Sequence, residues 1–582
     1  MLNSPPPCSH SPSMVLYEHI RLYSLRKWIK MNWFPDAYKT SGHSSASAPN
    51  PIFSAISSVL ELPVLDTFLK DRTLVTGVLL TLLLVFITSY LKSPWRKLPP
   101  SPPRIPIVGN MSRLKNKKWL FSSDCKGRFS EVMYLDAMGR QTIVFNSLKS
   151  AYNVLERRAG IYSGRPRSIM VQEILNQGLG VALMDYGELW RRLRRAAHDP
   201  VSRTTVQNYH PTQTKEAIIL VSALLDDPEN RHGHFQRAGA SVILSILYDY
   251  PTLESTNDKV VMDIDDNINW TSHAAVKASF VEYFPWMIHI PQRFAKWKRE
   301  ALMRAAERYD IFLRLFDRVR ADIATGGERP SFSASLLRNH DRYHLSDPEM
   351  AILSGQMYTA GFETTSTTLM WWTLAMVAFP QVQRRAQAEL DAVVGRSRLP
   401  TFADAPHLPY VRAVVREVLR WRPPVPFGLP HAATEDDWYE GMFIPKGATC
   451  IANIWQCNHD RAIFGEDADD FRPERHLDEG GELLPGPIET NQEGHLSFGF
   501  GRRICVGKYL ANDTLFISTA RILWATIIEH VLDENGKEVV PDLEGFTDRG
   551  LFIRPAPYDC KITPRFPEVV SILSEERERF MD

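Results

Sequence analysis

The chain of 582 residues lacks the features that usually divide a protein into several domains. Past residue 104 it has no long linker rich in Ser, Gly or Pro, no low-complexity run and no internal repeat with a solenoid-like period. These absences argue against repeat architectures and strings of small domains. We therefore predict one large domain over residues 104–582, with a hydrophobic content of 44% that is enough for a sizeable core.

Cysteine is scarce, and no two cysteines form a CxxC pair. The six cysteines are Cys8, Cys125, Cys450, Cys457, Cys505 and Cys560. Their wide spacing indicates neither a disulfide framework nor a structural zinc site, and it suits a reducing compartment. The net charge of +1 gives no general attraction to nucleic acid. Any special cysteine chemistry must therefore belong to a single thiol.

One long uncharged run is present, LVTGVLLTLLLVFITSYL over residues 74–91. Its length is about that needed to cross a bilayer. Lys92, Arg96 and Lys97 follow it without an acidic residue, which places the C-terminal side in the cytosol by the positive-inside rule. We predict a single transmembrane helix at 74–91, with a buried core helix as the alternative.

The segments on either side of this run contain no recognisable chemistry. Residues 92–103 include LPPSPP, which cannot continue a helix, and they are predicted to form a stiff hinge. Residues 1–73 are rich in Ser and Pro and are too long and polar for a signal peptide. They are predicted to be a disordered extension, or else the result of a misassigned start codon.

The strongest chemical signal is the loop FGFGRRICVG at residues 498–507, which fits the pattern FxxGxRxCxG. A thiolate that binds a metal must be shielded from water and held by backbone N–H donors. Phe498 can cover the sulfur of Cys505, and Arg503 can meet an anionic carboxylate. The alternative is an inert buried cysteine in a glycine turn.

The two glycines of the loop and the segment after it support the same interpretation. Gly501 and Gly507 would allow the backbone to lie close to a flat cofactor, where a Cβ would clash. Residues 508–524 are apolar at helical spacing, so Cys505 is expected near the N-terminus of a helix.

This loop resembles the heme-binding signature of the cytochrome P-450 family, and the resemblance extends over residues 98–566. It implies a mainly α fold with a small β lobe, heme b between two central helices, and Cys505 as the thiolate ligand of the iron. Helical patterns over 185–425 and strand-like runs at 140–145 and 441–444 agree with that fold. The runs 430–437 and 550–565 are similar to those of fungal microsomal members.

Two further motifs occur in family order. Glu417 and Arg420 form an ExxR pair in the helical stretch 410–421, and Arg475 follows in the run FRPER. In isolation, such a pair is usually a surface ion pair. The resemblance implies that Glu417, Arg420 and Arg475 form a buried structural network behind the heme.

Residues 360–365, AGFETT, lie inside a long apolar segment from about Pro348 to Ala378. Glycine followed by threonines is poor helix chemistry, so an interrupted helix with a groove for dioxygen is expected. The run resembles the acid–alcohol pair of the family, with Glu363 and Thr364 as a proton relay. The alternative is an ordinary helix whose hydroxyls bond back to the preceding turn.

The heme carboxylates have candidate partners of their own. Trp190 and Arg194 share a helix face and resemble the family's WxxxR pair, and His431 fits a further contact. The neighbouring Arg191, Arg192 and Arg195 form either a solvated basic face or a docking surface for an acidic electron-transfer partner.

The chain has no GxGxxG between a strand and a helix, no Walker-type loop and no ferredoxin-like cysteine run. Electrons must therefore come from another protein. The resemblance implies a membrane-bound NADPH-dependent reductase as partner, dioxygen as co-substrate, and a location at the endoplasmic reticulum membrane with the catalytic domain in the cytosol.

The predicted function is the insertion of one oxygen atom into a lipophilic substrate, in the biosynthesis of fungal terpenoid or aromatic secondary metabolites. Predicted pocket walls are the segment before Gly361, the turn Val425–Leu429, and a hairpin tip near Leu551 and Phe552. Two alternatives remain open: a heme-thiolate isomerase or dehydratase that needs no reductase, and a non-enzymatic heme-binding membrane protein.

Overall fold

The computed structural model describes residues 72–110, 118–126, 130–255, 257–277, 279–327, 329–548 and 550–580. The predicted N-terminal extension, except for its last two residues, lies outside these ranges. The chain divides into two compact units, Met1–Ser93 and Pro94–Asp582. The boundary between them falls within the predicted hinge 92–103.

In the first unit, helix α1 spans Arg72–Lys92 and contains the predicted membrane segment 74–91. Its large apolar side chains between Val78 and Leu91 are exposed. Nevertheless, none of the helices in the part of the chain that the structure describes combines the length and apolarity needed to cross a membrane. The helical part of this prediction is confirmed, and its membrane-spanning part is not supported.

The second unit is mainly helical. Its α-helices before the central helix are α2 (Lys118–Lys126), α3 (Leu148–Ala151), α4 (Ala159–Tyr162), α5 (Glu188–His198), α6 (His210–Asp226), α7 (Arg231–Tyr248), α8 (Lys259–Lys277), α9 (Ser279–Tyr283), α10 (Lys296–Thr325), α11 (Phe332–Arg338) and α12 (His340–Tyr343). The central helix and those after it are α13 (Asp347–Ala378), α14 (Pro380–Val393), α15 (Pro409–Trp421), α16 (Ile454–Asn458), α17 (Arg461–Phe464), α18 (Lys508–Ala525) and α19 (Val569–Arg579).

The strands are short and form small sheets. They are β1 (Val132–Ala137), β2 (Arg140–Phe145), β3 (His431–Ala432), β4 (Asp437–Tyr439), β5 (Met442–Ile444), β6 (Thr449–Ala452), β7 (Thr526–Glu529), β8 (Phe546–Asp548), β9 (Ile553–Pro555) and β10 (Lys561–Pro564). The largest sheet has the order β1-β2-β6-β3, in which β2 and β6 run parallel. The other sheets are the pairs β10-β7, β4-β5 and β8-β9. The predicted mainly α fold with a small β component is confirmed.

Helix α13 is apolar on almost every face, as expected for the central, buried helix of the second unit. It begins at a capping box, in which Ser346 and Glu349 satisfy free N–H groups of the first turn. The helix continues through Gly361 without a break, contrary to the interruption expected from sequence. A Cβ at position 361 would lie 2.8 Å from Cδ1 of Ile243, so this glycine permits close packing against α7.

The predicted hinge is not a free spacer over its whole length, because its residues from Pro94 onward belong to the second unit. Trp95 meets the ring of Phe443 edge to face, with ring centroids 5.8 Å apart. The backbone N–H of Tyr134 in β1 donates to the carbonyl of Pro100 at 2.9 Å. The residues after Ser93 are therefore part of the folded body.

Candidate functional site

The loop at 498–507 leads directly into α18, whose N-cap is Gly507. The backbone N–H of Cys505 donates to the carbonyl of Phe498 at 2.8 Å and closes the loop. The side chain of Cys505 is accessible to solvent, although protein atoms pack around its sulfur. The other described cysteines are buried or half-buried.

Burial raises the pKa of the Cys505 thiol, whereas the N–H of Gly507 and the positive charges of Arg194 and Lys508 lower it. The net direction is upward, so these groups only partly offset the cost of a buried thiolate. A metal ion bound to the sulfur would supply the missing positive charge and deprotonate the thiol.

Glycine is needed at position 501 for a reason other than the expected close approach of a flat cofactor. Its φ of +55° lies in the left-handed region, and a Cβ there would be 2.8 Å from the carbonyl oxygen of Leu155 and from Cβ of Ala159. Its N–H donates to the carboxylate of Glu156. Gly501 is therefore required by contacts within the protein, whereas a Cβ built at Gly507 would meet no atom of the described residues within 4 Å apart from its own chain neighbours.

Three arginines meet beside this loop. Arg194 on α5 donates to the carbonyl of Ile504, next to Cys505. Arg503 donates to the carbonyls of Ser163 and Met184, each at 2.9 Å. Arg165 donates to the carbonyl of Ala182 at 2.9 Å and to that of Pro430 at 2.5 Å. We refer to Arg165, Arg194 and Arg503 as the arginine cluster.

Within the described ranges, the guanidinium groups of the arginine cluster have no direct carboxylate partner, although the charge of Asp185 acts against burial and raises the pKa of Arg503. Burial, followed by the charge of Arg503, lowers the pKa of Arg165 to about 9. Burial likewise lowers the pKa of Arg503 to about 10. Such a cluster favours an anion that brings its own acceptor oxygens.

His431 lies close to the same arginines. It is buried, its Nδ1 faces the carbonyl oxygen of Tyr162 at 2.7 Å, and β3 places it opposite Cys450 of β6. Burial, followed by the charge of Arg165, lowers its pKa to about 3. His431 is therefore a neutral hydrogen-bonding group at ordinary pH.

Trp190 has its indole Nε1–H committed to the carbonyl of Val181 at 3.1 Å, and Arg503 lies 4.3 Å above its ring. An indole has only that one donor, which here is engaged within the protein, and the contact of Trp190 with a heme carboxylate stays a prediction. The ring supports the guanidinium of Arg503. Sequence reasoning missed Arg165, since no motif marks it; the chain brings it into the cluster only on folding.

A second buried cluster lies around Glu417 on α15. Arg420 binds both carboxylate oxygens at 2.8 Å, and Arg475 binds one at 2.9 Å. The side chains of Glu417 and Arg420 have 0% exposure and that of Arg475 has 5%. The structure therefore brings the predicted trio together. We call this set, with His476, the Glu417 network.

His476 was missed by sequence reasoning, although it directly follows Arg475. Its Nε2 lies 2.8 Å from Oε2 of Glu417. Burial disfavours ionised Glu417, but the charge and hydrogen bonds of Arg420 and the hydrogen bond of His476 outweigh it and hold the pKa of Glu417 below its ordinary value. Arg420 also donates to the carbonyls of Asn458 and Ala468, so every strong donor has an acceptor.

Glu363 and Thr364 lie on α13 but point to different partners. The hydroxyl of Thr364 donates back to the carbonyl of Ala360 at 2.9 Å, as in the alternative considered from sequence. Glu363 is buried and forms an ion pair with Arg554 of β9, with a shortest N–O distance of 2.6 Å. Sequence analysis did not identify Arg554 as a partner, because 190 residues separate the two along the chain.

Two of the predicted pocket walls meet at β9. The backbone N–H of Ile553 donates to the carbonyl of Pro424 at 3.1 Å, next to the turn Val425–Leu429. The indole of Trp371 on α13 donates to the carbonyl of Ile553 at 3.0 Å. The hairpin, the turn and the central helix are therefore joined by hydrogen bonds around one short strand.

The donor set fits an iron porphyrin that carries two carboxylates. Cys505 offers one accessible sulfur with cations beside it, and the arginine cluster offers donors for anionic groups that the protein itself does not pair. A flat anionic group that also binds a thiolate would satisfy both requirements at once.

The sequence profile described as Cytochrome P450 matches residues 99–529. A cytochrome P450 monooxygenase of Armillaria gallica is 48% identical over 490 residues, covering 84% of this chain and 94% of that protein. A cytochrome P450 monooxygenase of Postia placenta is 42% identical over 478 residues, covering 82% of this chain and 90% of that protein.

Solved structures show the same fold. A zebra fish cytochrome P450 structure with abiraterone aligns with a TM-score of 0.61 and 27% identity, covering 77% of this chain and 100% of that one. Another, with progesterone, aligns with a TM-score of 0.63 and 25% identity, covering 77% and 99%.

Proposed function

Because this chain belongs to the cytochrome P450 family and is a monooxygenase, we propose that it inserts one atom of dioxygen into a lipophilic organic substrate with Cys505 as the ligand of a heme iron. The observation that carries this proposal is the accessible sulfur of Cys505 next to an arginine cluster without carboxylate partners. Arg165, Arg194, Arg503 and His431 would hold the heme carboxylates.

The overall reaction converts substrate, dioxygen, NADPH and one proton into hydroxylated substrate, water and NADP⁺. Bound heme supplies dioxygen activation, which electron donation from the thiolate favours. The protein must deliver protons from solvent to the site where the O–O bond breaks. Glu363 and Thr364 are the proposed relay, because a carboxylate and a hydroxyl lie in adjacent positions on the central helix.

The two electrons come from a separate NADPH-dependent reductase in this proposal. A supporting surface lies on α5, where Arg191 and Arg195 are exposed, close to the exposed Arg502 of the thiolate loop. Arg191 is paired with Glu188 at 2.6 Å, so the face is basic but partly compensated. An acidic partner would approach on this side.

We place the enzyme at the endoplasmic reticulum membrane. Support comes from the exposed apolar side chains of α1 and, separately, from Phe280, Trp286 and Phe294, which are 65%, 64% and 72% exposed. Cell fractionation with an alkaline wash tests this location. Recovery of the full chain in the soluble fraction would contradict it.

The substrate class is proposed to be a terpenoid or aromatic secondary metabolite. The support is indirect: the relatives are fungal monooxygenases, and apolar residues flank the proposed pocket walls. Substrate-induced shifts of the heme absorption band across a panel of such compounds would test the class. Shifts only with fatty acids or with polar substrates would contradict it.

A heme-thiolate isomerase is the rival within the same fold. It rearranges an already oxygenated substrate and consumes neither NADPH nor dioxygen. The acid–alcohol pair Glu363 and Thr364 favours the monooxygenase. Product that forms from a peroxide substrate in the absence of reductase, with no dioxygen uptake in its presence, would favour the isomerase.

The decisive experiment is the carbon monoxide difference spectrum of the reduced protein. Wild-type chain should give the strongly red-shifted band of thiolate-ligated heme, and Cys505→Ala should lose both the band and turnover. Cys457→Ala is the matched control, because that thiol is fully buried and faces the carbonyl of Phe145. Folded Cys505→Ala protein with normal band and turnover would disprove the proposal.

A further inference from the structure

Arg554 is the cation that fixes the carboxylate of Glu363. Its Nε donates to Oε1 at 3.0 Å, and its Nη2 donates to Oε1 at 2.6 Å and to Oε2 at 2.7 Å. Only 15% of the Arg554 side chain and 11% of the Glu363 side chain are exposed. The pair is therefore weakly screened, and both carboxylate oxygens are held.

The other side of Arg554 faces neutral groups of α7. With its amide oriented to satisfy both groups, the oxygen of Gln236 accepts from Nη2 at 3.1 Å and from Nη1 at 3.2 Å. One turn earlier, burial, followed by the charges of Arg231 and Arg554, lowers the pKa of His232 to about 4. At neutral pH, neither neighbour competes with Glu363 for the positive charge of Arg554.

A second acid lies near Glu363. Burial of Asp265 on α8, followed by the negative charge of Glu363, raises the pKa of Asp265 to about 6, and Arg554 acts in the opposite direction. The charge of Arg554 therefore opposes the effect of Glu363 on the pKa of Asp265.

We propose that Arg554 is a positioning residue for proton delivery: its guanidinium group holds the carboxylate of Glu363 in a fixed orientation, next to Thr364 in the sequence of α13. This inference rests on the proposed monooxygenase function. In this proposal, β9 positions Arg554 in addition to forming a pocket wall. The strand is held in place because Ile553 is hydrogen-bonded to Trp371 and to Pro424.

The proposal predicts which products receive the protons that come from solvent. With delivery intact, dioxygen, two electrons and two protons yield water and the oxygen atom that enters the substrate. If delivery fails, the same electrons and protons leave as hydrogen peroxide, and NADPH is still oxidised to NADP⁺. The ratio of peroxide to product therefore measures delivery separately from electron supply.

The test compares Arg554→Gln and Arg554→Lys with a matched control, Arg565→Gln. Arg565 follows β10 and binds Asp391 at 2.6 Å with 8% of its side chain exposed, so the control also removes a buried ion pair. We expect Arg554→Gln to lower product formed per NADPH by on the order of tenfold, with a matching rise in peroxide. Arg554→Lys should recover part of the loss, and Arg565→Gln should keep wild-type coupling.

A second readout needs no turnover. The protonation of Asp265 can be followed by infrared difference spectroscopy, with Asp265→Asn as the blank. Removal of the Arg554 charge should move the midpoint of Asp265 upward from about 6, and Arg565→Gln should leave it unchanged. Unchanged coupling in Arg554→Gln would overturn the inference, whatever the midpoint of Asp265.

The carbon monoxide spectrum separates this inference from the proposed function. If wild-type protein lacks the thiolate band, the proposed function fails. If Arg554→Gln keeps the band and oxidises NADPH with wild-type coupling, only the role of Arg554 fails.

Discussion

The Glu417 network and the arginine cluster are both buried and both rich in arginine, but they differ in how charge is balanced. In the network, Arg420 and Arg475 bind the same carboxylate, and their remaining donors reach backbone carbonyls and the carboxylate of Asp467. In the cluster, Arg165 and Arg503 reach only carbonyls. The first set is complete within the protein, whereas the second requires an anion from outside it.

This difference separates a structural site from a binding site that has a similar composition. A balanced buried network contributes to the folded state before any ligand arrives, and it is costly to break. An unbalanced cluster is held by the fold at a cost, which the lowered pKa values of Arg165 and Arg503 reflect. The following experiments test this contrast.

Glu417→Gln should have the largest effect on folding. It removes the buried counter-charge of Arg420 and one of the two carboxylates bound by Arg475, so we expect the free energy of unfolding to fall by about 3–5 kcal/mol. Denaturant-induced unfolding and the yield of soluble protein measure this effect. A loss below about 1 kcal/mol would show that the network is not structural.

Arg165→Leu should affect the heme more than the fold. Loss of a charge-assisted hydrogen bond is worth about 1.5–3 kcal/mol, so heme should leave the protein about 10- to 100-fold faster. Transfer of heme to an excess of a scavenger protein measures the rate. The unfolding midpoint of the heme-free protein should change less than that of the heme-loaded protein, and the reverse order would contradict the contrast.

His459 should make stability depend on pH. Burial, followed by the charge of Arg420, lowers its pKa to about 3, whereas an unfolded histidine titrates near about 6.5. The folded state favours the neutral form, so its contribution is complete above about pH 6.5 and declines as the pH falls toward 3, by at most about 1.4 kcal/mol per unit. His459→Asn should flatten this slope of unfolding free energy against pH. The exposed His289→Asn is the control and should not change it.

Arg385→Ala should have the smallest effect. Arg385 binds Glu474 at 2.8 Å, at the edge of the Glu417 network, but its side chain is 52% exposed. Solvent screening limits such a pair to less than about 1 kcal/mol of unfolding free energy. A loss as large as that of Glu417→Gln would mean that the network extends to the surface.

Much of the fold and part of the site could be predicted from the sequence. Helix α13 was predicted because the segment is apolar over about thirty residues, and β2 was predicted because residues 140–145 form a short strand-like run. Cys505, Glu417, Arg420 and Arg475 were identified because each lies in a motif of fixed spacing. Such motifs can be recognised from the sequence because their residues lie close together along the chain.

The remaining features depend on long-range packing and could not be predicted. Arg554 and Glu363 meet only because β9 lies against α13, and Arg165 joins its cluster only through the carbonyls of Ala182 and Pro430. The expected break at Gly361 was wrong because propensity was weighed without Ile243, the side chain that needs the space. Local sequence patterns cannot identify a contact partner that lies on a different helix or strand.

The bonds around Ile553 have a consequence for how such an enzyme can change its range of substrates. Strand β9 is anchored by the backbone of Ile553 and by the ion pair of Arg554, whereas Leu551, near the tip of the hairpin, is 43% exposed. Mutations can therefore accumulate at the tip while the strand beneath it stays constant. The pocket can therefore change during evolution while the catalytic chemistry is kept, because the two depend on neighbouring but different residues.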